Sequence, residues 1–332
     1  VGVEYKRLVL DRRSGKAMSP MTNEDELPMM DATPGDVERS EQDRMIEAGL
    51  KRIGRKLLVM SGKGGVGKST VAATVALLLA NRGFRVGLLD VDLHGPSVPR
   101  LLGIRGGLQV EEKGVVRPFA VNGNLSVMSM EMVLGDNKDA AVILRGPLKI
   151  SAIRQFISDI DWGDLDFLVV DSPPGTGDEP LTVAQTIPDA EALIVTTPQE
   201  ISLADVRKSI NFCRQVDMKI LGLVENMAAM TCPHCGERVT LFGSGGGAAL
   251  AKSTGLPLIA EVPADPGVVE LGDRGELAQL LEGPGSDVRR AFHYFPLWFF
   301  KRRRGDGKEE IVLEPAAATS VSEIKRIHLP AG

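Results

Sequence analysis

From Lys56 onward, short apolar runs alternate with longer amphipathic or small-residue stretches. The runs Leu57–Met60, Arg85–Asp90, Phe167–Asp171, Leu193–Thr197, Ile220–Val224 and Leu256–Glu261 are continuous rather than alternating. Such runs mark strands buried on both faces, as in a parallel sheet covered by helices. Between them, Ser69–Leu79, Pro147–Ile160 and Ile201–Val216 carry helical patterns. Leu108–Met130 breaks the rhythm with alternating residues around Gly114, which predicts a hairpin insertion. The expected fold is α/β: a mostly parallel β-sheet flanked by helices, with ligands at the carboxyl ends of the strands.

The pattern divides the chain into three parts. Residues 1–52 are polar, acid-rich and punctuated by Pro20, Pro28 and Pro34. Ser14–Asp36 reads as a largely disordered leader, Glu38–Leu50 as a short polar helix. The leader is either solvated chain or a docking segment. Residues 53–281 hold the strand–helix alternation. Glu282-Gly283-Pro284-Gly285 is a breaker, and residues 282–332 form an aromatic and basic segment containing FHYFPLWFF followed by Lys301-Arg302-Arg303-Arg304. Three readings apply to it: a terminal helix docked on the core with a polar tail, a membrane-surface contact, or a nucleic-acid contact. Pro296 weakens a continuous amphipathic helix.

Composition narrows the classes. A chain of 332 residues, 43% hydrophobic and 25% charged, has ample length for a packed core. Its net charge of −5 gives no general argument for nucleic acid, and no nucleic-acid partner is expected. Cys213, Cys232 and Cys235 make no disulfide framework, which points to a reducing, cytoplasmic setting. No apolar run is long enough for a transmembrane helix.

The chemistry concentrates in Gly62-Lys63-Gly64-Gly65-Val66-Gly67-Lys68-Ser69, a complete G-x-x-x-x-G-K-[ST] phosphate-binding loop, with Thr70 next. Glycines let successive N–H groups approach phosphate oxygens, and the following helix presents its positive end. Lys68 is expected on the β- and γ-phosphates, and the Ser69 hydroxyl on Mg²⁺. Lys63 is an extra lysine inside the motif. Asp171 ends an apolar strand and precedes Ser172-Pro173-Pro174-Gly175-Thr176-Gly177, so it is placed for the magnesium shell, with the glycine turn as a γ-phosphate sensor. The alternative is a turn-capping role. Asp90 and Asp92 flank Val91 after the second strand. In extended chain they would point the same way, Asp92 orienting the attacking water and Asp90 supporting Mg²⁺; the competing reading is a polar helix start.

Cys232-Pro233-His234-Cys235 supplies two thiols three positions apart, half of a four-thiolate metal site. Other residue types, or a second copy across a two-fold axis, would complete it. A shared metal or iron–sulfur site, a zinc or redox pair, and plain structural thiols all remain open on spacing alone. Cys213 reads as a small buried residue.

The segments SGKGGVGKST, LLDVDLHGPSVPRLLG, WGDLDFLVVDSPPGTGDEPLT, VENMAAMTCPHCG, LFGSGGGAALA and VPADPGV together resemble Mrp-type (ApbC) ATPases, iron–sulfur cluster carriers related to MinD, ParA and the nitrogenase iron protein. The resemblance runs from about Arg55 to about Asp273. It implies a deviant Walker A motif in which Lys63 reaches the partner's nucleotide across a homodimer. It also implies slow ATP hydrolysis, and a [4Fe–4S] cluster bridged by Cys232 and Cys235 of two subunits. Asn226 then reads adenine, and Pro263 and Asp265 border the base. Implied partners are apo iron–sulfur proteins and cluster assembly factors. The amino-terminal four-cysteine motif of the eukaryotic branch is absent, and the carboxyl end departs from the usual family ending. The rivals are a MinD- or ParA-like positioning ATPase on membrane or DNA, supported only by the aromatic–basic tail, and an electron-delivering redox partner.

Overall fold

The computed structural model describes residues 34–93, 95–106, 109–110, 116–134, 146–232, 234–235, 237–281, 297–303 and 309–315. Residues up to Glu41 and residues from Gln42 form separate compact units. Of the first, only the start of helix α1 (Pro34–Lys51) is described. This helix begins four residues earlier than expected, with proline at its start, where a missing N–H costs nothing. Residues 1–33, most of the leader, lie outside the described residues.

The second unit follows the alternation read from the sequence. β1 (Ile53–Ser61) leads through the glycine loop into α2 (Lys68–Asn81), then β2 (Val86–Asp90) and the short α3 (Val98–Leu101). The insertion follows, as β3 (Gln109–Val110) paired antiparallel with β4 (Val116–Arg117). Its expected turn at Gly114 lies outside the described residues. β5 (Phe119–Ala120) and β6 (Leu125–Ser129) return the chain to the main sheet. After α4 (Met130–Leu134) come α5 (Gly146–Asp159), β7 (Leu165–Asp171), α6 (Asp178–Thr186), β8 (Glu191–Thr196), α7 (Glu200–Gln215) and β9 (Ile220–Asn226). β10 (Met230–Thr231) and β11 (Arg238–Val239) form a small antiparallel pair. α8 (Gly246–Thr254), β12 (Leu258–Val262), α9 (Pro266–Arg274) and a 3-10 turn at Leu277–Leu281 complete this part of the chain.

Eight strands form one sheet in the order β12-β9-β8-β1-β7-β2-β6-β5. Every pairing is parallel except β5 with β6. β1 sits between β8 and β7, so the loop leaving its carboxyl end emerges near the middle of the sheet. The central strands are buried along nearly their whole length, as uninterrupted apolar runs require. Helix α2 is buried on almost all sides; its alanines let it lie close to the sheet, and its apolar residues all the way round mark a core helix. Phe167 is fully buried on β7 and meets Phe84 edge-to-face, with ring centroids 5.2 Å apart. Ile46 of α1 joins this core. Among the described residues, no helix is long and apolar enough to cross a membrane.

The carboxyl-terminal segment corrects one expectation. Residues 297–303 are not helical: β13 (Leu297–Arg303) pairs antiparallel with β14 (Glu309–Pro315). The reason is legible afterwards. Trp298, Phe299, Phe300 and Ile311, Val312 favour strands, and Gly305-Asp306-Gly307 between them is turn chemistry. The register sets Arg302 opposite Glu310 and Arg303 opposite Glu309.

Phe167→Ala should cost about 3–5 kcal/mol and lower the thermal midpoint by roughly 5–15 °C, because a buried ring is lost between sheet and helix. Circular dichroism melting of the nucleotide-free protein checks this.

Candidate functional site

The phosphate loop connects β1 to α2. Gly67 caps α2 in the left-handed conformation (φ 80°, ψ 24°). A Cβ there would lie 2.2 Å from Asn226 Nδ2, so both conformation and space demand glycine. Asn226, at the end of β9, donates from Nδ2 to the Val66 carbonyl at 2.9 Å and so holds the loop's backbone. Ser61 Oγ donates to the Lys63 carbonyl at 2.9 Å. The Gly175 N–H donates to the Ser61 carbonyl at 2.9 Å, which places the Gly175–Gly177 turn beside the loop's first residues. Gly62, Lys63, Gly67, Ser69 and Thr70 are half-buried, Gly64 and Gly65 exposed and Val66 buried. Among the described residues Lys63 has no ion-pair partner.

Lys68 is buried, and its ammonium lies 2.5 Å from Asp171 Oδ1, 3.5 Å from Ser69 Oγ and 3.9 Å from Asp92 Oδ2. The sheet register makes this cluster: Asp171 ends β7 opposite both Val59 of β1 and Asp90 of β2. Asp171 is fully buried, and its Oδ2 has no hydrogen-bond partner. Burial holds its pKa above the ordinary carboxylate value even though the Lys68 charge opposes the shift. Asp90 is pushed up to about 8, first by burial and then by the neighbouring Asp171.

Asp90 and Asp92 do not point the same way, as an extended chain would have them. Asp90 Oδ1 accepts the Asp92 N–H at 3.1 Å, and Oδ2 accepts the Val98 N–H at 3.3 Å and the Ser129 hydroxyl at 3.0 Å. The chain turns immediately after β2, so the alternation of an extended strand ends at Asp90. Asp92 accepts the Gly95 N–H at 3.2 Å through Oδ1, while its other oxygen faces Lys68.

Beside Gly67 and Thr70 lies a cavity of about 530 Å³, within the range for small-molecule sites. Asn226, Met227, Met230, Val262, Pro263 and Asp265 contribute to its wall. Asp265 also caps α9, accepting the Gly267 N–H at 2.8 Å. The phosphate loop, the acid cluster and an apolar cavity thus form one continuous site. The unpaired Asp171 oxygen, beside a lysine and a serine hydroxyl at the loop, suits a hard divalent cation carried with a nucleotide phosphate. Met227 and Met230 were missed in the sequence; their place in the cavity wall follows from where β9 ends.

Cys232 and Cys235 stand apart from the acid cluster, on the β10–β11 turn. Cys232 is half-buried and donates its N–H to the Glu237 carbonyl at 2.8 Å; Cys235 is exposed. The N–H groups of Cys235 and His234, in that order, lower the Cys232 thiol pKa. Among the described residues, no three His, Cys, Asp or Glu side chains gather as a metal site. Val239, Leu241 and Phe242 beside it are exposed apolar residues. Cys213, on α7, is buried with its thiol pushed up to about 11 by desolvation.

Comparison with known proteins agrees with this geometry. The chain is 47% identical over 232 residues to the cytosolic Fe-S cluster assembly factor CFD1 of Saccharomyces cerevisiae, covering 68% of this chain and 78% of that protein. It is 42% identical over 249 residues to the iron-sulfur cluster carrier protein of Methanocaldococcus jannaschii, covering 75% and 86%. The nucleotide-binding protein of Archaeoglobus fulgidus, solved in complex with ADP and with Co, superposes with a TM-score of 0.65 at 40% identity, covering 76% of this chain and 97% of that one. The family model for ParA, described as NUBPL iron-transfer P-loop NTPase, matches residues 52–295, and with these identities the chain belongs to that family of P-loop NTPases.

Proposed function

We propose that this protein is an ATP-dependent iron–sulfur cluster carrier: it hydrolyses ATP slowly, holds a cluster as cargo between two copies of itself, and passes it to apoproteins in the cytoplasm. The observation that carries the reading is the coexistence, in one unit, of a complete phosphate loop and a two-cysteine turn, Cys232 half-buried and Cys235 exposed, that gathers no third ligand among the described residues. Two thiolates satisfy half of a [4Fe–4S] cluster, and a two-fold axis supplies the rest. The names of the relatives as carrier and assembly factor support the same reading. A MinD- or ParA-like role in positioning leaves the cysteine turn without a purpose.

In this reading the loop N–H groups and the α2 terminus cradle the phosphates. Lys68 leaves Asp171 for the β- and γ-phosphates, and Lys63 reaches the partner's nucleotide. Ser69 and Asp171, with Asp90 behind them, would hold Mg²⁺, which supplies charge neutralisation for phosphoryl transfer. Asp92 orients the attacking water. Asn226, Pro263 and Asp265 border the adenine. Shifting the dimer between nucleotide states gates loading or release of the cargo.

Lys68→Ala should reduce ATP hydrolysis by about 100-fold or more and abolish cluster transfer, while the cluster still binds. Phosphate release and transfer to an apo-ferredoxin measure the two; transfer at the wild-type rate overturns nucleotide gating. Cys232→Ala and Cys235→Ala should each fail to give a brown protein on anaerobic reconstitution, and normal iron and sulfide contents in either would refute the shared site.

The acid cluster predicts a pH signature in the nucleotide-free protein. Asp90 has a folded pKa near 8, above its unfolded value, so the folded state binds more protons between roughly pH 4 and 8. Its contribution to stability is complete below that window and is lost as pH rises through it. Melting temperatures should therefore fall from pH 5 to pH 8, and Asp90→Asn should flatten the dependence.

A further inference from the structure

The two halves of the site meet at the end of β9. Asn226 holds the phosphate loop through Val66, while its neighbour Glu225, buried, accepts the Gly247 N–H in the first turn of α8. Consecutive side chains of one strand thus hold the phosphate loop, through Asn226, and the far end of the cysteine-bearing excursion, through Glu225. The excursion's first residues are also laced to the cavity wall. The Ala228 N–H donates to the Val262 carbonyl at 3.0 Å, and the Ala264 N–H to the Ala229 carbonyl at 2.7 Å. Met227 lines the cavity with a positive φ of 58°, a conformation rare for its residue type, and so fixes how the chain leaves β9. Met230 lines the cavity too, yet belongs to β10, the strand that runs into the cysteine turn. The Cys232 N–H bonded to the Glu237 carbonyl extends that pairing by one rung. In extended chain Met230 and Cys232, two residues apart, share a face.

We propose that the base-side wall of the cavity couples nucleotide occupancy to the cysteine turn, with Met230 as the positioning residue that a bound purine contacts. This rests on the carrier reading for its purpose, but the coupling is a property of the apoprotein. The route is short, because one short strand walls the cavity and runs directly into Cys232. Coupling between two binding sites is reciprocal, so whatever the base does to the turn, a ligand on the turn does to nucleotide affinity.

The test separates base from phosphate. Alkylation of Cys232 and Cys235 in the full-length apoprotein is followed by peptide mass spectrometry, with no addition, with Mg²⁺ and pyrophosphate, or with Mg²⁺ and ADP. Buried Cys213 serves as the silent internal reference. We expect ADP to change the Cys232 rate at least threefold and pyrophosphate to leave it within about 1.5-fold. Met230→Ala, held at an ADP concentration that calorimetry shows to be saturating for that variant, should lose the ADP effect, and Met230→Leu should restore it. A merely structural role for Met230 would shift the rates equally with and without ADP. The proposal is overturned if ADP binds without changing the rate, if pyrophosphate reproduces the change, or if Met230→Ala keeps it. Any of these outcomes leaves the carrier reading standing, since that reading fails only with the loss of cluster binding on reconstitution.

Discussion

The ion pair between Lys68 and Asp171 is the constraint on which the site depends. Its 2.5 Å contact lies in the protein interior, at the carboxyl ends of adjacent parallel strands. Breaking a buried pair by removing one partner costs about 3–5 kcal/mol, because a charge is left without water or counter-charge. The pair therefore fixes the start of α2 against the end of β7, and with it the loop between β1 and α2. It is also incomplete. One Asp171 oxygen has no partner and Asp90 stands behind it, so the cluster holds more acid than the single lysine can balance. Such an excess is tolerable in two ways, by protonation or by a cation, and a nucleotide arriving with its metal supplies the second.

The same economy governs the far side of the loop. Gly67 needs a left-handed conformation and no Cβ because Asn226 sits against it. Asn226 in turn fixes where β9 stops and where the cysteine-bearing excursion begins. The loop and the cysteine turn are separated by long sequence distance, yet the end of β9 touches both. That adjacency is the geometric basis of the proposed coupling between nucleotide and cysteine turn.

Much of the site was legible in the sequence because its chemistry is local. The glycine pattern of Gly62–Ser69 follows from phosphate geometry, and the apolar runs before Asp90 and Asp171 follow from burial on both faces of a sheet. The Cys232/Cys235 spacing spoke of a metal but left several alternatives, because ligand completion is a matter of what another segment or another copy brings. Asp90 was misread in orientation. Spacing along the chain assumes an extended backbone, and the turn after β2, closed by the carboxylate itself, ends that assumption. For the segment holding β13, a docked terminal helix was one of three readings, and the strand pairing with β14 was missed because clustered aromatic and basic residues say little about period.

By itself the sequence determined the fold class, the phosphate-loop pattern and the two-cysteine spacing, since each rests on residue type at short spacing. Tertiary structure alone decided that β7 lies between β1 and β2, which brings Asp171 onto Lys68 rather than Asp90. It decided too that Met230 belongs at once to the cavity beside the phosphate loop and to the strand leading to Cys232. Strand order and cavity walls are set by packing between distant segments, and no local pattern records which distant segment will arrive.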